Sequence, residues 1–512
     1  MKNFIKILET RIGFWREFAI GVAIAVAARG SMLFPLNYSE DTYRFLNYPE
    51  GADFALFASE MRAFAYPLIK FLEAIGAQYP YAGALWPLLF TAALVYAGLV
   101  SMRIWLPTAG SSTFIVGGCL FALFPYQSDY LSFHNAAPFF FFYLTLGWSA
   151  LYFAPRSRFT MALALPALAF VVSVQILFGF LFLVVFIEAM IWAYAWSLKP
   201  KLSRPEIWNS AKPWAIRLTL LFAAAIIYVV VSKFIMVIFG VASGSRLEMS
   251  VLTDYPEKMV LYAKLSFFFL FKGEVGIPFA IKLVQLALLG AIGFAGLVAL
   301  FTKNGFGFPR LVMWTMLTGV TVCAVGACMG VMLPIKNAYV LMCPRTLSAL
   351  SAYWAGVFAL ALFVASGRGR TVVLILGAFL AFGYAVNANR QAVDHARITQ
   401  RDRLVASRMV ERLCQLPQFD FVRTVVLVGA QHTFNTDRVS TSTGGFNVSS
   451  LYRYWSSTAV LREVSGTPFE YPSDADRELA EQVAVGKPEW PAAGSVFIEG
   501  DMGVVVLPKR EE

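Results

Sequence analysis

Along most of the chain polar positions are rare, and the apolar ones run on without a helical or strand period. Stretches such as Phe18 to Ala28, Leu85 to Val100 and Val372 to Val386 carry no charge. A helix needs roughly 20 mostly apolar residues to cross a bilayer. Runs near 18–36, 82–101, 113–127, 138–153, 160–176, 178–197, 218–240, 276–301, 311–333, 347–365 and 371–388 predict about eleven crossings. The third and fifth are short and fit broken or partly re-entrant segments. The first run lacks a small-residue cleavage site and reads as a retained span. Beyond Asn389 the pattern changes. Ile398, Leu404, Val405, Met409, Val410 and Leu413 recur at helical spacing among charges. Thr424-Val-Val-Leu-Val-Gly429 reads as a buried strand, Thr433 to Ser450 as a loop, and Ser495 to Pro508 as a hairpin around Gly-Asp-Met-Gly. The expected architecture is an α-helical polytopic membrane protein over 1–389, with a first outer loop and juxtamembrane helix at 37–81. A small soluble α/β domain at 390–512 follows.

Composition supports this reading. The 512 residues are 58% hydrophobic and 14% charged, with a mean hydropathy of +0.64, where ordinary domains are about a quarter charged. A soluble enzyme is excluded. The net charge of +11 suggests nucleic acid only until its distribution is followed. The N-terminus and alternate loops (Arg103; Arg156 and Arg158; Lys199 to Arg217; Lys303 and Arg310; Arg368 and Arg370) hold 16 basic residues against three acidic ones. The segment from Asn37 to Pro80 holds three basic and six acidic. That asymmetry predicts a cytoplasmic N-terminus and, after an odd number of spans, an extracytoplasmic tail. The five cysteines (Cys119, Cys323, Cys328, Cys343, Cys414) form no CxxC and suggest neither disulfides nor a zinc site.

Candidate chemistry gathers in the predicted outer segments. Asn37-Tyr-Ser-Glu-Asp-Thr-Tyr-Arg44 follows the first span and sets Glu40 and Asp41 at the membrane surface beside Tyr38. Residues 58–72 intersperse Arg62 and Lys70 among aromatic and aliphatic side chains, as in a helix lying in the interface. The alternative is a solvated loop with an amphipathic lid. Asp129 and His134 interrupt an apolar stretch, either as a polar turn or as substrate contacts, and fall short of a zinc set. An oxygen-liganded divalent ion stays open. Three charges lie inside spans. Arg29 and Lys233 either snorkel to headgroups or act on substrate, and Glu188 reads as half of a structural pair. Lys336 and Arg345 frame a short outer loop and suit either interfacial anchoring or phosphate binding.

With these residues the sequence resembles the polytopic glycosyltransferases of the GT-C fold, and within them the bacterial and phage glucosyl transferases that decorate O-antigen. Glu40-Asp41 matches an acidic pair after the family's first span. Met61-Arg-Ala-Phe-Ala-Tyr-Pro-Leu68 keeps the Arg of a Gly-Arg-Trp-like element, and Ser173-Val-Gln175-Ile resembles a Ser-x-Tyr-Gln-like one without its Tyr. A small α/β tail ending in a hairpin completes the likeness. The resemblance implies an inverting transfer of a sugar from a polyprenyl-phosphate donor in the bacterial cytoplasmic membrane. Asp41, with Glu40 second, would be the base. Arg345, Lys336, Lys233 and Arg62 would hold the donor phosphate, and Tyr38, Asp129, His134 and Gln175 would contact sugar or acceptor. The resemblance implies no required cofactor, with a divalent metal undecided. The acceptor would be O-antigen, another glycan or a protein; small membrane partners would supply or flip the donor, and no nucleic acid is involved. A flippase for lipid-linked saccharide and a non-catalytic assembly subunit are the rival readings.

Overall fold

A computed structural model describes residues 10–33, 54, 58, 63–76, 85–132, 137–197, 204–242, 256, 260, 279–302, 348–429 and 449–508. The chain divides into two compact units, separated in the main between 389 and 390.

The first unit is helical. In order it contains α1 (Phe14–Leu33), α2 (Ala65–Ala74), α3 (Leu85–Trp105), α4 (Ser111–Ala122), α5 (Ser128–Ser132), α6 (Ala137–Phe153), α7 (Arg158–Val172), α8 (Gln175–Ser197), α9 (Arg204–Ile238), α10 (Phe279–Thr302) and α11 (Leu350–Val364). It closes with the first part of α12 (Arg368–Cys414). Among the described residues four helices are long and apolar enough to cross a membrane, at 85–105, 137–156, 208–238 and 368–414, and shorter apolar helices accompany them. The protein is therefore predominantly helical and of membrane-compatible composition. The eleven-span count is not reached among the described residues, and the expected run at 311–333 lies outside them. The two runs expected to be short are short: α4 has 12 residues and α7 has 15, about 18 and 22 Å of helix.

Local signals explain several boundaries. Pro138 occupies the first turn of α6, where its missing N–H costs nothing. Ser157 and Thr160 form a reciprocal capping box at the start of α7. Close packing needs small residues. A Cβ on Gly98 of α3 would lie 2.8 Å from Gly118 Cα of α4, and Gly117 faces Met102 in the same seam. α6 also packs on α3, and α1 lies against both α3 and α4. α9 presents much of its surface outward, with Ile226, Val229, Val230, Phe234 and Val237 exposed, as a helix does when its neighbour is lipid.

The second unit is α/β. Its sheet has the order β1 (Thr424–Val428), β3 (Met502–Val506), β2 (Val496–Glu499). β1 and β3 run parallel with Thr424 opposite Met502, and β2 and β3 form the antiparallel hairpin. Gly500 takes the positive φ that the hairpin turn requires. The parallel pair needs a crossover, which contains α13 (Tyr454–Ser465) and α14 (Asp474–Val483), both packed on β1. The central strand β3 is buried throughout, and Val426, Val428, Ala480, Val504 and Val506 form the core. One sequence expectation changes here. The span at 371–388 and the charged segment after it are one continuous 47-residue helix, α12. Within it Leu404 is exposed, whereas Asp402 is buried on the stripe of Ile398, Ala406, Met409 and Leu413. The i+4 spacing, more than hydrophobicity, decides which side chain turns inward.

Candidate functional site

Charges inside the first unit are of two kinds. At the start of α1, Glu17 is buried and accepts from the Arg103 guanidinium of α3 and the Ser111 hydroxyl of α4. Arg103 also stacks between the rings of Phe14 and Phe114, at 4.6 and 4.4 Å. Nearby, Ile12 N–H donates to Ser111 Oγ at 2.9 Å. Glu188 of α8 is likewise paired with Arg217 of α9, whose Nε donates to Leu151 O at 2.7 Å. Glu188 is thus half of a structural pair, as its sequence context suggested. Each acid is paired with a guanidinium, which is the normal condition of buried charge.

Arg29 is different. It lies 12 residues beyond Glu17, about 18 Å further along α1, with 0% exposure. None of its three guanidinium nitrogens has a hydrogen-bond partner among the described residues. Helix registers show what shares its level. α3 is antiparallel to α1, since Glu17 meets Arg103 and Gly21 faces Val95. α4 is antiparallel to α3, since Gly117 faces Met102 and Gly98 faces Phe121. Arg29 is therefore level, within about one helical turn, with Thr91 near the start of α3 and with the turn after α4.

That turn is polar and buried. Gln127 donates to Ser351 Oγ at 2.9 Å and Ser348 O at 3.4 Å, and the Tyr130 and Ser348 hydroxyls are 3.1 Å apart. Tyr130 also packs against Phe140, with ring centroids 4.3 Å apart. Phe124, opening the turn, meets Tyr384 of α12 edge to face at 5.3 Å, and Tyr384 accepts from Gln285 at 2.6 Å. Around this network, Thr91 Oγ1, Ser128 Oγ and both amide atoms of Asn387, one turn beyond Tyr384, are buried without a hydrogen-bond partner among the described residues. Buried polar atoms that lack a partner are uncommon in folded proteins, and where they gather they often mark the place of a bound ion or ligand. Here a guanidinium, two hydroxyls and an amide collect at one end of one helical unit. The chemistry they offer is donation to an anionic, oxygen-rich group.

Most residues named from the sequence fall elsewhere. Tyr38, Glu40, Asp41, Arg62, His134, Lys336 and Arg345 lie outside the described residues. The backbone of Asp129 follows Ser128 on α5, and that of Gln175 opens α8, about 8 Å beyond Phe180; Phe180 itself packs on Phe121 of α4. Both therefore sit toward the Arg29 end. Lys233 lies toward the same end of α9, since Phe222 of α9 packs on Phe178 and Phe182. Its side chain is exposed beside the outward-facing Phe234, so the structure does not draw it into the polar network. Within the segment expected to hold an interfacial helix, a helix runs over Ala65–Ala74, with Lys70 paired to Glu73 at 2.7 Å and Phe71 outward. Sequence reasoning gave no role to Thr91, Ser128 or Asn387. Each is an ordinary small polar residue in an apolar run, and only packing shows its isolation.

The second unit holds one unusual acid. Asp402 is buried, accepting from Ser449 Oγ at 3.0 Å and Ser450 N–H at 2.7 Å. Burial pushes its carboxyl up to about 7, against the two hydrogen bonds and the charge of Arg401. Comparison with protein-family models, curated proteins and solved structures found no match for the chain.

Proposed function

We propose that this chain is an inverting glycosyltransferase that takes its sugar from a polyprenyl-phosphate donor, in keeping with the GT-C resemblance. The observation that carries the reading is the cluster of partnerless buried donors at one end of the helical unit. An acidic pair, Glu40-Asp41, follows α1 within ten residues in sequence. A phosphate-binding site and a base are the two requirements of displacement at an anomeric carbon. In the step proposed, Asp41 takes the proton of the acceptor hydroxyl as its oxygen attacks C1. The C1–O bond to the phosphate breaks, and the polyprenyl phosphate leaves with the electron pair. Cationic donors stabilise the charge that develops on it.

Lys336, Arg345, Arg62 and Lys233 remain candidates for that electrostatic role, and Tyr38, Asp129, His134 and Gln175 for contacts to sugar or acceptor. In this reading the chain sits in a bacterial cytoplasmic membrane with its N-terminus inside and its tail outside. A cysteine at the exposed Val485, in a Cys414→Ser background, would then react with an impermeant maleimide in intact spheroplasts, and protection there would reverse the orientation.

The decisive assay uses the full-length protein in nanodiscs with a polyprenyl-phosphate hexose or pentose, an acceptor glycan and mass-spectrometric detection. Donor consumption with a new glycosidic bond is expected. Asp41→Asn should reduce turnover about 10²–10⁴-fold, the range for a lost general base, with Glu40→Gln milder. In sealed proteoliposomes, a donor that crosses the bilayer chemically unchanged would instead identify a flippase. Normal turnover in both acid variants would end the mechanism.

A further inference from the structure

Among the described residues Arg29 belongs to no pair, and the other buried charges show how unusual that is. Glu17 has two side-chain partners, and Glu188 has Arg217. Arg217 in turn reaches a backbone carbonyl. Arg29 has the same chemistry as Arg103 and Arg217, is more buried than either, and has none of these contacts among the described residues. A guanidinium held out of water without a counter-charge costs several kcal/mol, and membrane helices retain such groups chiefly where they act. Snorkelling does not account for it, because a snorkelling head group reaches water and Arg29 is fully enclosed. Thr91 and Ser128, level with it, add two hydroxyls that also lack partners among the described residues. Five guanidinium N–H donors and two hydroxyls, buried and bonded to no carboxylate among the described side chains, complement tetrahedral phosphate oxygens. A zwitterionic or neutral group would leave the charge unanswered.

We propose that Arg29, supported by Thr91 and Ser128, binds the phosphate of a lipid-linked phosphoester that enters the helical unit from the bilayer. The identification of that lipid as the glycosyl donor rests on the function proposed above; the phosphate site does not. An aqueous phosphate would need a water path to a guanidinium that is closed to solvent, whereas a lipid tail brings its headgroup laterally between helices.

The test uses full-length protein in phosphatidylcholine nanodiscs and three probes: a polyprenyl monophosphate without sugar, the corresponding polyprenol, and inorganic phosphate. Binding is read by native mass spectrometry and tryptophan quenching, and thermal stability is measured on the unliganded protein. Wild type should bind the polyprenyl phosphate at least tenfold more tightly than the polyprenol. Arg29→Met should lose about ten- to a hundredfold in affinity for the phosphate lipid, the worth of hydrogen bonds to a charged group, and nothing for the polyprenol. Arg29→Lys should fall between. Because an unpaired buried charge is replaced by an apolar side chain, Arg29→Met should also leave the empty protein as stable or more stable.

A drop in the empty protein's stability would reveal an internal partner and overturn the proposal. Unchanged affinity for the phosphate lipid in Arg29→Met would do the same. If inorganic phosphate binds as tightly as the lipid, the site takes a free anion and the lipid source is refuted. Since no sugar is present, failure of the transferase assay leaves these outcomes untouched. Loss of turnover in Asp41→Asn with intact lipid binding would separate the two sites directly.

Discussion

Asp402 makes the stability of the second unit depend on pH in a direction opposite to that of a salt-bridged acid. Its carboxyl stands at about 7 rather than the usual 3.8. Between those values the folded protein keeps a proton that the unfolded chain has lost. Stability is therefore greatest below about pH 4, falls as pH rises through the window and levels off above about 7. A displacement of roughly three pH units at about 1.4 kcal/mol each amounts to about 4 kcal/mol. Asp402→Asn removes the titration and keeps the geometry. The amide oxygen still accepts from Ser450 N–H, and the Ser449 hydroxyl turns to accept from the new NH₂. Hydrogen exchange at the Ser450 and Leu451 amides, in full-length protein from pH 5 to 9 and corrected for intrinsic rates, reads this locally. At pH 5, about one unit into the window, the variant should already be more protected by about tenfold. At pH 9 the variant should be more protected by about 10²–10³-fold, the equivalent of 3–4 kcal/mol. Wild-type protection that stays flat across the window, or a variant less protected at pH 9, would refute the reasoning.

Two further outcomes follow from the packing. Glu188→Ala leaves Arg217 buried without its carboxylate, so unfolding in a mild denaturing detergent should be easier by about 3–5 kcal/mol; replacing both residues by Met should restore most of the loss. Gly98→Ala forces a Cβ against the backbone of Gly118 and should cost about 1–3 kcal/mol. Gly30→Ala, with nothing within 4 Å of the added carbon, should instead stabilise α1 by about 0.5–1 kcal/mol. Equal effects at the two glycines in a thermal-shift series would mean that the α3–α4 seam is not as close as described.

The helical unit and the sheet were legible because both follow from period and run length. Apolar runs mark α3, α6 and α8, and the Thr424 and Val504 runs mark the buried strands. The length of α12 was hidden because its two halves obey different patterns, uniform hydrophobicity and then an amphipathic stripe, while the backbone carries straight on. The site was less readable. Glu188 and Arg29 look alike in sequence, each a lone charge in an apolar run. They differ only in what stands opposite, Arg217 in one case and no hydrogen-bond partner among the described residues in the other, and that depends on registers between helices far apart in the chain. Asp402 reads as one more charge beside Arg401 and Arg403, although its i+4 relation to Ile398 and Ala406 already puts it on the buried face. Lys233 shows the converse, a suggestive position whose side chain turns away from the polar network.

The Glu17 cluster imposes an order in time. Arg103 and Glu17 are 86 residues apart, so at about 5–20 residues per second the ribosome needs roughly 4–17 s to make the second after the first. Throughout that interval the nascent α1 carries an acid without the guanidinium that it meets in the finished fold. Its packing is completed only when α3 lies against it in the opposite direction. A ribosome stalled between them would release a chain whose first helix has an open acidic end, a mark by which an incomplete molecule differs from a finished one.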